Sequence, residues 1–277
     1  MVPTARINRH IVLHALSLLV FIASAAHADD TRMVFPERVP QGAMVIGKVP
    51  PGSRVVHAGR ELRVTDYGSV VFGVARDASG TAAVTVTPPG ASERTVRIAI
   101  APRDWPIERV DGVPPETVDP PPEIAERIGR EQRAVARARE TSDDGIGFTQ
   151  DFIRPVPGRI SGRFGSQRVY NGTPGSAHSG MDIAAATGTP VKAPAAGRVV
   201  FADDLYLTGG TVLIDHGHGI GSNFLHLSKM NIGVGETVEQ GEIIGEVGAT
   251  GRATGPHLHW GMTWYATRID PLLVLER

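Results

Sequence analysis

Six of the ten histidines in this 277-residue chain fall between positions 178 and 259. Three of them sit in two runs that suit metal chemistry. H-S-G-M-D places His178 four residues before Asp182, and P-H-L-H-W places His257 two residues before His259. Gly255-Pro256 precedes the second run and disfavours a helix there. On a strand, residues two apart point to one face, so His257 and His259 can look into the same cleft. Two imidazoles and one carboxylate form a catalytic zinc set, because three protein ligands leave a fourth position open for water. Zinc so held brings the pKa of that water to about 7 and polarises a carbonyl. The spacing alone lets His257 and His259 exchange the ligand role.

The elements that must position these groups are short strands. From about residue 150 to the end, turn signals recur every ten residues or so. V-L-I-D at 212–215 and E-I-I-G-E-V at 242–247 read as strands, and 190–199 and 234–245 as short strands turned by glycine. Residues 150–277 are therefore expected to form an all-β unit with no helix. Residues 34–103 also read as strands, among them V-V-F-G-V at 70–74, A-V-T-V-T at 83–87 and T-V-R-I-A-I at 95–100. With P-P-G, D-Y-G and A-S-G between them, they predict a small Ig-like β-sandwich without a catalytic constellation. His57 is alone there and reads as structural or solvent-facing.

Between the two β units, residues 104–149 read as a Pro-rich joint followed by a charged helical linker over Glu123–Glu140. Glu123–Arg127 and Glu126–Arg130 are spaced as i,i+4 pairs. The helix is either a spacer between the domains or lies on one of them.

The formal net charge is −1, which supplies no basic face for nucleic acid, and the absence of cysteine excludes disulfides and thiolate ligands. Arg6 and Arg9 precede an apolar run over 11–26 that ends in A-H-A at 26–28. That order predicts a signal peptide over 1–28, a mature start near Asp29, and a periplasmic or secreted protein. The run is shorter than the ~20 residues a membrane span needs, so no span is expected in the mature chain.

Taken with F-L-H-L-S at 224–228, the runs H-S-G-M-D and G-P-H-L-H-W resemble, in family order, the three motifs of the lysostaphin/LytM-type zinc endopeptidases, peptidase family M23. The resemblance covers about residues 152–271. It includes F-G at 164–165, P-V-K-A-P-A-A-G at 190–197 and D-H-G-H-G at 215–219. It implies a β-rich LytM-type catalytic domain with an open groove and hydrolysis of peptide bonds in peptidoglycan. It also implies one Zn2+ per chain, held by His178, Asp182 and His259. His226 and His257 match the two non-ligand histidines, which act on the water and stabilise the oxyanion.

Two positions depart from the family pattern. Phe224 stands where many relatives carry tyrosine. Some relatives use a tyrosine shortly before the first ligand to support the oxyanion, and Tyr170 is the nearest counterpart. His216 and His218 read as turn residues near the groove, and Trp260 and Trp264 as core or groove wall. Free imidazoles near pH 6.5 predict that activity falls below about pH 6.

Two other functions are weighed against hydrolysis. A catalytically silent LytM-type regulator of other wall hydrolases typically lacks ligands, and this chain keeps all five positions. A biotinyl- or lipoyl-like carrier needs a lysine at a hairpin tip, and Lys192 and Lys229 lack the expected neighbours. By analogy with periplasmic relatives, D-alanyl–diaminopimelate cross-links are expected over glycine bridges. Protein partners in wall synthesis or division are left unnamed.

Overall fold

The structure is a computed structural model that describes residues 33–276. The signal peptide expected over 1–28 lies outside the described residues. The fold is all-β, with two α-helices among those residues.

The N-terminal part builds a five-stranded sheet and a two-stranded ribbon. The sheet comprises β1 (Arg38–Pro40), β3 (Arg54–His57), β4 (Arg60–Leu62), β6 (Thr81–Thr87) and β7 (Arg94–Ala101), in the order β1-β7-β6-β3-β4. Strands β2 (Met44–Lys48) and β5 (Ser69–Gly73) form the ribbon. Alternation along β6 turns Ala82, Val84 and Val86 inward and the threonines outward, as a sheet with one wet face requires. The apolar strand β5 is instead buried along its whole length. Its far end meets the C-terminal part: a Cβ added to Gly73 would come within 2.8 Å of Trp264 Cβ. Phe72 and Trp264 stack edge to face at 6.4 Å.

His57 packs on Phe72 at 4.0 Å, and its Nδ1 donates to Ala83 O at 2.9 Å, so it is a structural residue. Arg103 pairs with Asp270 at 2.8 Å, and Arg76 Nε donates to Gly165 O at 2.7 Å. The two β units thus share one continuous core.

The segment read as a joint does more than connect. Strand β8 (Ile107–Val110) pairs in parallel with β10 (Gln167–Tyr170), which pairs with β11 (Thr173–Ala177). Helix α1 (Pro122–Glu140) follows, with Arg130–Glu126 at 2.8 Å. Arg127 pairs with Glu131 at 2.6 Å rather than with Glu123. Glu131 also accepts from the Tyr206 backbone N–H at 2.9 Å. Of the two readings of this helix, the structure shows the one in which it lies on the C-terminal sheet.

That sheet has eight strands. Its path is β18 (Thr237–Val238), β14 (Gly197–Leu205), β15 (Gly209–Asp215), β16 (Ile220–Leu227), β20 (His257–Trp264), β12 (Met181–Ala184) and β9 (Arg159–Gly162). Strand β21 (Thr267–Ile269) pairs with the end of β20. Strands β13 (Pro190–Lys192), β19 (Ile243–Glu246) and β17 (Lys229–Met230) form a smaller sheet. Along β20, Leu258, Trp260, Met262 and Trp264 are buried in the core, which leaves His257 and His259 on the other face. A short helix, α2 (Pro271–Leu275), departs from the helix-free expectation. The dipeptide D-P carries its signal: Asp270 caps the Leu272 N–H at 2.9 Å, and Pro271 opens the first turn.

Candidate metal centre

Antiparallel pairing of β12 with β20 sets Asp182 opposite His259 and Ala184 opposite His257. The turn before β12 returns His178 to the same spot. Gly180 makes that turn possible, since a Cβ there would lie 2.7 Å from His259 Nε2. His178 Nε2, Asp182 Oδ1 and His259 Nδ1 then converge, with separations of 3.0, 3.0 and 2.9 Å. All three side chains are buried.

The donor set can be tested for its fit to a cation. His178 Nδ1 donates to Arg163 O at 2.9 Å, which leaves a lone pair on Nε2. A carboxylate offers only lone pairs. Three electron-rich atoms about 3 Å apart repel one another unless a cation or a proton lies between them. Among the described residues this trio is the group of side chains with ligand atoms close enough for one ion, and nitrogen and carboxylate donors in this number suit zinc. Burial alone would raise the Asp182 pKa, but its contacts with the His178 and His259 rings hold it well below the usual carboxylate range. Burial pushes His259 down to about 4, so it is neutral, as a ligand must be.

Asp182 is held by a further layer absent from the sequence reading. Arg168 Nη2 donates to Asp182 Oδ2 at 2.7 Å, and Arg168 Nε lies 2.9 Å from Glu108 Oε2 on β8. Gly162 on β9 leaves room for this pair, since a Cβ there would run into Asp182 Oδ2 and the Arg168 guanidinium. The carboxylate therefore presents Oδ1 to the site and Oδ2 to arginine. Arg168→Ala is expected to weaken zinc binding by about 10–100-fold. Arg168→Lys should recover only part of this, because an ammonium lacks the planar fork. Competition against a chelator of known affinity measures both; unchanged affinity in the alanine variant would remove Arg168 from this role.

His226 reaches the groove by an irregularity. Leu225 pairs with His259 and faces the groove, so strict alternation would send His226 to the core with Phe224. The β15–β16 register slips between Gly210 and Val212, and His226 adopts a φ of 65°. The resulting bulge turns its ring back to the groove. Such a φ is uncommon for a residue other than glycine and marks a position held by its surroundings. Its Nδ1 donates to Thr250 O at 2.7 Å, leaving Nε2 as a free base. Burial, aided by the charges of His257 and His259, pushes its pKa down to about 3. The expected loss of activity below pH 6 therefore cannot come from His226, which stays neutral well below that pH.

His257 stands 4.8 Å from the His226 ring. Its Nδ1 donates to Gly255 O at 2.9 Å, and its Nε2 lies 3.9 Å from Asp182 Oδ1. It is the more exposed of the pair.

These groups open into a groove of about 920 Å³. Residues of β8 and of the turn after it wall one side. Arg252, from the loop before β20, lies over the Tyr170 ring at 4.1 Å and donates to Thr117 O at 2.9 Å. Tyr170 therefore lines the groove with one ring face taken by Arg252. Phe224 and Trp260 are wholly buried and Trp264 packs in the core, so none of them lines the groove.

His216 and His218 do not line the groove either, contrary to the expectation that placed them near it. His216 is wholly buried, bridging Ala196 O at 2.8 Å and Ser222 Oγ at 2.9 Å. Burial pushes it down to about 4. Its ordinary value is near 6.5, so the unfolded chain binds the extra proton first as pH falls. Stability is full above pH 6.5 and is lost as pH drops towards 4, by up to about 3 kcal/mol from this group. The metal-free protein should melt progressively lower over that range, and less steeply as His216→Gln. Equal pH slopes in both proteins would remove His216 as the cause.

Comparison with known proteins adds to this geometry. The profile of Peptidase family M23 matches residues 176–271. A solved structure from Pseudomonas aeruginosa, described as a peptidase M23, superposes with a TM-score of 0.66 at 31% identity. The match covers 85% of this chain and 94% of that one. Peptidoglycan DD-endopeptidase ShyA of Vibrio cholerae is 42% identical over 103 residues, 37% of this chain and 24% of the relative. Cell division protein DipM of Caulobacter vibrioides is 35% identical over 167 residues, 58% of this chain and 26% of the relative. The chain thus spans about a quarter of the length of these curated relatives.

Proposed function

The chain belongs to peptidase family M23, and we propose from that premise that it is a zinc endopeptidase cutting peptide cross-links of peptidoglycan. The observation that carries this reading is the convergence of His178, Asp182 and His259 on one point of an open groove, with His226 and His257 beside it. Zinc at that point supplies an acidified water and polarises the scissile carbonyl.

The rest is the work of the protein's own groups. His178, Asp182 and His259 hold the ion, and Arg168 fixes which Asp182 oxygen faces it. His226 Nε2, free of its proton, takes a proton from the attacking water. His257, beside it at the groove surface and with its own N–H given to Gly255 O, can take that proton on Nε2, hold it against the developing oxyanion and pass it to the leaving amine. The groove gives the extended peptide room on both sides of the site.

By analogy with periplasmic relatives we take D-alanyl–diaminopimelate cross-links as the substrate and the periplasm as the site of action. Digestion of purified sacculi of that wall type and of a glycine-bridged wall, with mass analysis of the products, tests this. New amine ends on diaminopimelate that vanish with chelator and return with zinc are expected. Release from the glycine-bridged wall alone would change the substrate, and no release from either would remove the hydrolytic reading. For the exported protein, N-terminal sequencing should read from near Asp29; an intact Met1 would favour an uncleaved anchor.

A further inference from the structure

The loop between β19 and β20 passes both non-ligand histidines. Gly248 O accepts the His257 backbone N–H at 3.1 Å. Gly248 also packs close to β16, since a Cβ there would lie 2.6 Å from His226 O. Two residues on, Thr250 O takes the His226 Nδ1 proton at 2.7 Å. The Arg252 N–H then ties the loop to the β14–β15 turn, donating to Leu207 O at 2.8 Å.

The Thr250 side chain anchors this carbonyl to the strands beneath it. Its hydroxyl accepts from the Gly210 N–H at 3.0 Å and donates to Leu227 O at 2.9 Å. Gly210 and Leu227 are partners on β15 and β16 at the point where the register slips. The hydroxyl thus spends its one proton and a lone pair on the two strands whose slip makes the His226 bulge. The fit is close. Gly209, at a φ of 58°, lies so near that a Cβ would run into Thr250 Oγ1. A ring hydrogen-bonded through one nitrogen has its tautomer and direction set by that bond. A backbone at a φ of 65° persists only where its surroundings hold it. Thr250 supplies both restraints to His226, one from its carbonyl and one from its hydroxyl.

We propose that Thr250 is a positioning residue for His226. Its hydroxyl clamps the slipped strand pair, and its carbonyl keeps the ring proton on Nδ1, so that Nε2 stays bare towards the groove. Its place in the reaction rests on His226 being the base, as proposed above. Thr250 itself does not line the groove. Its loss should therefore slow the chemical step and leave substrate affinity in place.

The test uses the full zinc-loaded protein with histidine rings labelled in nitrogen-15, whose spectra show which ring nitrogen carries the proton. The His226 signals are those missing from His226→Asn. In the wild type His226 should be wholly protonated at Nδ1. Thr250→Val matches threonine in shape but lacks the hydroxyl. It should keep its zinc and show a mixture of the two tautomers. Its kcat should fall by about 10–100-fold with KM unchanged, the scale for misplacing a reacting group by about 1 Å. Thr250→Ser restores the hydroxyl and should recover the single tautomer and most of the rate.

A Thr250→Val protein whose His226 stays wholly protonated at Nδ1 overturns the proposal, whatever its rate. So does a Thr250→Ser protein that behaves as the valine variant. Loss of zinc from Thr250→Val also overturns it, since that would mark a general loosening of the site. If the tautomer shifts as expected but even the wild type cuts no wall peptide, Thr250 keeps its hold on His226 and the hydrolytic function is what falls.

Discussion

Replacing His259 with alanine is expected to strip the zinc and to lower hydrolysis of cross-linked wall peptides by more than about 10³-fold, since water without the metal loses the acidity that makes it a nucleophile at neutral pH. The ring contributes Nδ1 at 2.9 Å from Asp182 Oδ1 and 3.0 Å from His178 Nε2, and among the described residues it belongs to the one trio whose ligand atoms lie close enough together for a single ion. Two remaining ligands hold zinc too weakly to keep it at ordinary concentrations. Asp182→Ala should behave alike, but its reading is mixed. It also leaves the buried Arg168 with Glu108 alone, and an uncompensated buried charge destabilises the fold. His259→Ala is therefore the cleaner experiment. Elemental analysis of the purified variant decides it: one zinc per chain in His259→Ala would falsify the ligand assignment. If His257→Ala loses its zinc while His259→Ala keeps it, the two histidines have exchanged roles.

Removing the imidazole of His226 or His257 should separate binding from chemistry. Both variants should keep one zinc per chain and lose about 10²–10⁴-fold in rate, the scale for a positioned proton-transfer or oxyanion group. For His226 the informative substitution is asparagine. Its backbone sits at φ 65°, where asparagine is tolerated and alanine adds strain unrelated to catalysis. The pH profile adds a second readout. Because burial holds His226 near 3, a loss of rate between pH 6.5 and 5 must arise elsewhere. Zinc content measured across the same range shows whether release of the metal accounts for it. Wild-type rates in both variants would show that neither imidazole takes part.

The metal trio was open to reading because its members belong to two short runs with simple spacing. His178 and Asp182 lie within one turn and one strand, and His257 and His259 share a strand face. Local periodicity carries that much. What it could not carry depends on partners far away in the chain. Arg168 and Glu108 are 60 residues apart and meet only because β8 and β10 pair in parallel. Nothing in I-E-R-V at 107–110, set among prolines, marks it as a strand of the catalytic part.

His226 was found through motif resemblance alone. By strand alternation it belongs with Phe224 in the core, and a one-residue bulge reverses that. His216 shows the opposite failure. Its neighbours suggested a turn near the groove, whereas it is wholly buried against Ala196 and Ser222 and does not line the groove. Two strong periodic strands, β6 and β7, fell where the pattern put them, because one-faced burial writes its period directly into the residues.

The pairing of β8 with β10 also sets what can be exchanged between proteins. A chimera joined at residue 150, where composition changes, would leave β10 an open edge, ready to capture a strand from another molecule. It would also leave Arg168 without Glu108, and the ligand carboxylate on a looser support. The smallest transplantable catalytic unit begins at or before Ile107, so α1 travels with it. Recombination that respects this boundary inherits a metal site already buttressed; recombination that ignores it inherits the five motif residues and a sticky edge.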